Sequence, residues 1–325
     1  MALREEIDLF GGPDLVFGCR HLPGVVSGAG VLVCLGPPSD GLVDEGRAAR
    51  LGRRLADAGV AVQRFHYRGS WPSDGDPRVV GFDDLVEDAT RALDLLRDRA
   101  GVRGVGFVGA RLGALVAARV ARGEPGAPVA LWAPVPDPRA ALEQAARSRV
   151  ARQATAASRG GGAEANGANG TDAANGSGPV PRGADGSGWS PDDVSGGMTG
   201  EPAMPAAPDE LDGPVDLFDT RLAADLAEGS AVRSLADEVG RGPRTLLVAA
   251  PTAGGRETIV AGCRARGLAV DVVAHTYDDE RDGLPVPGAP ADALVDETAR
   301  WLAARLASGE PANGTARPAG TEAGA

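Results

Sequence analysis

The chain contains no lysine: all 33 basic side chains among its 325 residues are arginine. With 48 glycines and 25 prolines beside them, this reads as GC-rich coding bias and not as a functional device. Cysteine is scarce. Cys19, Cys34 and Cys263 are widely spaced and odd in number, which fits reduced thiols in a cytoplasm better than a disulfide framework. Cys34 lies inside an apolar run and reads as core. No apolar stretch is long enough to span a bilayer. The start Met1-Ala2-Leu3-Arg4-Glu5-Glu6 is charged and has no apolar h-region, so no signal peptide is expected and a cytoplasmic location is. A basic run is missing too. With 45 acidic residues against 33 basic ones the net charge is -12, a poor match for nucleic acid or anionic membranes.

What is present is a sizeable core: 43% of residues are hydrophobic, enough for one large α/β domain or two small ones. The stretch 7–22 reads as a hairpin, turning at Gly11-Gly12-Pro13-Asp14. Apolar runs at 31–35, 60–65, 105–108, 129–132, 245–250 and 268–273 read as strands, the first of them as one buried on both faces. Between them, helical spacing marks 44–58, 82–99, 112–122, 217–226, 231–239, 255–265 and 291–306. Strands alternating with helices in this way predict βαβ units and a parallel sheet.

One stretch carries the chemistry. Val105-Gly106-Phe107-Val108-Gly109 leads through Ala110-Arg111-Leu112 to Gly113 and an alanine-rich helix. That is the layout of a nucleophile elbow, in which the middle residue of Gly-x-Ser-x-Gly sits on a strained strand-to-helix turn. Here the middle residue is Arg111, and a guanidinium is not a nucleophile. Gln153 to Glu210 has no Ile, Leu, Phe or Tyr, and Asn-Gly recurs at 166, 169 and 175. Such a segment cannot bury enough apolar surface to offset its ordering entropy and is expected to be disordered. Its Asn-Gly-Thr and Asn-Gly-Ser triplets match the glycosylation pattern by chance in biased sequence. Gly160-Gly161-Gly162 is no phosphate loop, because no Lys-Ser or Lys-Thr follows it.

The order of these motifs resembles the α/β-hydrolase fold family. More narrowly it is similar to the serine-aminopeptidase or lysophospholipase-like branch, with a lid after the sixth strand, over residues 5–150 and about 211–307. The residues that carry the likeness are Gly36-Pro37-Pro38, Tyr67-Arg68-Gly69 with Ser73, the elbow Gly109 to Gly113, and His275. The Arg-Leu-Gly-Ala elbow is also similar to the branch of exosortase-associated hydrolases, where an arginine is expected as well. The resemblance implies a mostly parallel eight-stranded sheet with helices on both faces and a lid insertion. The domain would run over 1–150 and 214–308, around a disordered 151–213 and before a disordered tail from 309.

In that family the triad order is Ser, then Asp or Glu, then His. The nucleophile position then falls on Arg111 and the histidine on His275. The loop Ala250 to Gly255 after the seventh strand has no carboxylate, so the implied acid is Asp137 after the sixth. The oxyanion hole would use the N–H of Leu112 and one near Pro37 to Ser39. Proline has no N–H, which leaves Ser39 or Asp40. Gly36, Ser39, Asp40, Arg68 and Leu112 are thus the expected binding positions. No cofactor is implied, and no metal: Asp278-Asp279-Glu280 reads as a solvated loop.

Each residue has a plainer reading beside the functional one. Arg111, facing a helix N-terminus, invites an acyl carboxylate or other anionic small molecule. More simply, it pairs with Asp40, Asp74 or Asp137 and ties loops together. His275 and His66 are candidate bases or just polar loop residues, and His21 in the hairpin reads as structural. Ser39, Ser70 and Ser73 are candidate displaced nucleophiles or turn residues. Three readings of function result: a non-catalytic scaffold that binds an acyl or anionic ligand, a hydrolase of ester, thioester or amide bonds using a displaced serine, and an accessory subunit with a protein partner.

Overall fold

The computed structural model describes residues 3–36, 42–137, 139, 142–143, 220–228, 234–240, 245–249, 253–273 and 291–308. The segment expected to be disordered (151–213), the tail from 309, and Ser39, Asp40 and His275 lie outside the described residues.

The hairpin forms where turn chemistry interrupts apolar sequence, as β1 (Arg4–Gly11) and β2 (Leu15–Leu22). The strands that follow are β3 (Ala29–Cys34), β4 (Ala61–Phe65), β5 (Gly104–Ala110), β6 (Val129–Trp132), β7 (Thr245–Ala249) and β8 (Ala269–Val272). They make an eight-stranded sheet in the order β1-β2-β4-β3-β5-β6-β7-β8. β1 and β2 pair antiparallel, β2 and β4 antiparallel, and all later neighbours parallel. The helices are α1 (Leu42–Asp57), α2 (Phe82–Ala100), α3 (Gly113–Ala121), α4 (Arg221–Glu228), α5 (Leu235–Val239), α6 (Ala253–Arg264) and α7 (Ala291–Ala307). This is the mostly parallel sheet, covered by helices, that the motif order implied.

Why both faces are covered follows from the strand sequences. β3 and β6 are buried at every position, so neither face can meet water. Side chains alternate between two cores. Leu32, Cys34, Phe107 and Leu131 pack with α2, α3 and α6. Val31, Val33, Val108 and Trp132 pack with Leu51 and Leu55 of α1 and Leu294 and Leu302 of α7. Trp132 is polar at one point only, and its Nε1–H donates to the buried Thr298 hydroxyl at 3.1 Å. α2 ends where expected, at Gly101 in the left-handed region with φ 63°.

The short helices α4 and α5 lie inside the ranges expected at 217–226 and 231–239, or overlap them, and they are fastened by charge. Asp225 of α4 accepts from the Phe82 N–H at 2.8 Å, at the N-terminus of α2. Glu238 of α5 is wholly buried and takes a two-point contact from Arg119 of α3, at 2.5 and 2.7 Å. Arg119 also stacks over the Phe82 ring. Removing the acid strands a guanidinium that is itself partly hydrated. Glu238→Ala is therefore expected to lower unfolding free energy by about 2 kcal/mol. Urea denaturation of the wild type and the variant measures this, and an unchanged midpoint would contradict it.

Candidate functional site

The elbow is built by a close approach. A Cβ on Gly109 would lie 2.5 Å from Ala114 Cα and 2.8 Å from the Gly113 carbonyl oxygen. A Cβ on Gly113 would lie 2.3 Å from the Leu35 carbonyl oxygen and 2.4 Å from that of Cys34. Both glycines are thus fixed by backbone atoms that cannot move aside. Between them Arg111 takes φ 52°, a left-handed conformation that bulky residues rarely adopt. Its N–H donates to the Trp132 carbonyl at 2.9 Å and its carbonyl accepts from Ala114 N–H at 3.1 Å, so the strained turn is held from both sides.

The Arg111 side chain is buried, and it faces Asp44. Arg111 Nε donates to Asp44 Oδ2 at 3.1 Å, while Arg47 Nη1 donates to Asp44 Oδ1 at 3.2 Å. Asp44 is 3% exposed and Arg111 8%. Asp44 stands in the first turn of α1, where helix N-terminal amides favour a carboxylate. The sequence had offered Asp40, Asp74 or Asp137 as the partner. Asp40 lies outside the described residues, and Asp74 Oδ2 accepts from Leu15 N–H of the hairpin at 3.4 Å. Asp137 is half-buried on the loop after β6, where the Pro136 carbonyl accepts from Leu235 N–H of α5. Asp44 lies on the inward face with Ala48, Leu51 and Leu55, but nothing along the chain shows that this face meets Arg111, 67 positions away. Its spacing of three from Arg47 was the available signal.

Of the expected binding positions, Leu112 and Gly36 are brought to the elbow. Leu112 is the N-cap of α3, and Gly36 follows the Leu35 carbonyl that abuts Gly113. Arg68 is committed to α2. Its Nε donates to Asp88 Oδ1 at 2.9 Å, its N–H to Asp88 Oδ2 at 2.9 Å and its Nη2 to Glu87 at 2.7 Å. These bonds raise its already high pKa further, the Asp88 hydrogen bond most of all. Asp88 is wholly buried, so Arg68 fixes the loop after β4 to α2.

A second group of charges at the carboxyl end of β4 was missed in the sequence. Glu45, next to Asp44, reaches Arg64 at 3.4 Å and the His66 Nδ1 at 3.5 Å. Burial raises the Glu45 pKa. Burial, followed by the Arg64 charge, lowers that of His66. The first turn of α1 therefore sends one carboxylate to the elbow and the next to the end of β4.

Among the described candidate nucleophiles, the Ser73 hydroxyl is engaged and Ser70 is buried. Ser73 Oγ donates to the His66 carbonyl at 2.7 Å and accepts from Phe17 N–H at 2.9 Å. Ser70 is buried within the same turn, its N–H on the Tyr67 carbonyl. Burial pushes the Cys34 thiol up to about 12 and Cys263 up to about 11, and raises Cys19 as well, so none is a thiolate near neutrality. Among the described residues no group of three or more His, Cys, Asp or Glu could hold a metal ion. No helix among them is long and apolar enough to cross a membrane.

Similar folds are found among solved structures. An esterase from Pyrococcus furiosus aligns over 94% of this chain and 92% of its own, with 12% identity and a TM-score of 0.55. Est1E from Butyrivibrio proteoclasticus, determined with ferulic acid bound to it, aligns over 92% and 99%, with 12% identity and a TM-score of 0.54. Against an α/β serine hydrolase without lid from Xanthomonas campestris, this chain spans 62% of that chain's length and 41% of its own, with 23% identity and a TM-score of 0.35. No family model matches the sequence, and no curated protein does. At these identities the likeness is one of fold: the chain has the α/β-hydrolase fold.

Two changes test the site's construction. Gly113→Ala drives a methyl into two backbone carbonyls and is expected to lose about 3 kcal/mol of stability or more, whereas Gly104→Ala, with nothing within 4 Å, stays within about 0.5 kcal/mol. Asp44→Ala takes an acceptor from both Arg111 and Arg47 in a buried setting and is expected to lose about 3 kcal/mol. Chemical denaturation of the purified variants reads all three, and equal stability of the two glycine variants would contradict the close-approach account.

Proposed function

We propose that this chain uses the α/β-hydrolase fold for binding and not for hydrolysis. The observation that carries the reading is the elbow residue itself. Arg111 stands on the strained turn between β5 and α3 and is buried against Asp44. A guanidinium cannot attack an acyl carbon, and its high pKa leaves it no lone pair to share. The neighbouring hydroxyl and thiol groups support the same view. Ser73 is engaged at both its donor and acceptor sides, and Cys34 is buried and protonated.

The ligand that suits this reading is an acyl or anionic small molecule. α1 and α3 both bring N-termini to the elbow, and their partial positive charge lies on the same side as the guanidinium. In the resemblance, this is where an acyl group's developing oxyanion would sit. Asp44 already occupies part of that field, so an added anion would settle beside the pair, at the rim formed by Gly36 and Leu112.

The test is hydrolysis of short- and long-chain p-nitrophenyl esters and acyl thioesters by the wild type, Arg111→Ser and His275→Ala. The expected outcome is no wild-type turnover above the buffer rate. Wild-type turnover that disappears in His275→Ala would overturn the reading and identify a working hydrolase with a displaced nucleophile. Turnover in Arg111→Ser alone would agree with it, as a site silenced by one side chain.

A further inference from the structure

The face of the hairpin that meets α1 hides a chain of ionisable groups that the elbow does not use. His21 of β2 is 0% exposed. Its ring lies against Gly52 of α1, where an added Cβ would come within 2.5 Å of it. Arg64 of β4 donates through Nε to His21 Nε2 at 3.0 Å. Arginine has no lone pair to offer, so Nε2 is the acceptor and the ring proton sits on Nδ1. Nδ1 faces Glu5 Oε1 of β1 at 3.2 Å, and Arg53 of α1 reaches the same oxygen at 2.8 Å. On its own strand His21 meets the Cys19 thiol, at 4.0 Å. Arg64 continues the chain to Glu45 of α1, and Glu45 to His66. Four elements thus meet at one neutral imidazole that must remain neutral to accept from Arg64.

We propose that His21 is an acid-released latch: when its ring takes a second proton, Nε2 no longer accepts from Arg64, two cations face each other in a buried slot, and hairpin β1–β2 lets go of β4 and α1 while the rest of the sheet stays paired. The release is local because the groups that repel belong to β1, β2, β4 and α1 alone: Gly18 to His21 pair with Phe65 to Val62, and Arg64 lies in that ladder opposite Cys19.

The direction of the pH effect follows from the burial. Burial, then the Arg64 charge, depress the His21 pKa from 6.5 to about 4, with Glu5 pulling the other way. The unfolded or released hairpin takes up a proton near 6.5 and the docked one near 4. Docking is therefore fully favourable above about pH 6.5 and is lost as the pH falls toward 4. Burial and the Arg64 charge lower the His66 pKa too, and its ring lies edge-on to Phe17 of β2, so a His66 variant is needed to separate its share from that of His21.

Amide hydrogen exchange on the full chain between pH 7 and pH 4, corrected for the intrinsic pH dependence of exchange, tests this. Protection of residues 4–22 is expected to fall at least about tenfold on acidification while β5 and β6 keep theirs. His21→Gln, whose amide oxygen can accept from Arg64 without titrating, is expected to abolish the step, and His66→Gln to leave it in place. No step in the wild type, a step that persists in His21→Gln, or loss of protection across the whole sheet together would each overturn the latch. Should His21→Gln fail to fold, imidazole titration of the wild type by NMR decides. A His21 pKa well below 6.5 that tracks hairpin release supports the latch, and an ordinary value overturns it.

Discussion

The distance between helix α3 and the ends of β3 and β5 sets everything around the site. The backbones come so close that neither 109 nor 113 has room for a single methyl group. Gly113 abuts the carbonyl oxygens of Cys34 and Leu35, which ties the elbow to the loop after β3. The residue between is then forced into the left-handed region and lifted out of the strand. In an α/β-hydrolase fold this geometry presents a nucleophile. Here the residue on that turn is Arg111, whose guanidinium is buried against Asp44.

Such a cation needs an anion, and α1 supplies it from its first turn. Asp44 goes to Arg111 and Arg47, and Glu45 goes to Arg64 and His66. The helix amides favour both carboxylates there. One turn of one helix thereby ties the elbow, the end of β4 and, through Arg64 and His21, the edge hairpin. On the opposite face Arg68 with Asp88, and Arg119 with Glu238, tie α2, α3 and α5 in the same manner. A chain whose only long cations are arginines is well placed for this, because the planar guanidinium bridges two acceptors at once.

The fold was legible in the sequence because its signals are periodic or steric. The apolar run at 31–35 reads as a strand buried on both faces, as β3 is, and the spacing of Gly109 and Gly113 signals a close approach. The ion pairs were much less legible. Spacing shows that Asp44 and Arg47 share a helix face, but not that this face looks toward residue 111, which is 67 positions away. Arg68 looked like a rim residue because it follows a strand's carboxyl end, and only its hydrogen bonds to Asp88 show that it anchors a loop. His21 read as structural, which its burial bears out, yet nothing local revealed that its ring accepts from Arg64. Long-range charge pairing leaves no pattern along the chain.

The most direct check on the central claim, that no nucleophile remains at this elbow or beside it, is labelling of the intact protein with a fluorophosphonate probe followed by mass spectrometry. The account predicts that no serine is modified above the level of the heat-denatured control. Labelling of Ser39, Ser70 or Ser73 that requires the folded chain would contradict it, because only an activated hydroxyl reacts in that way.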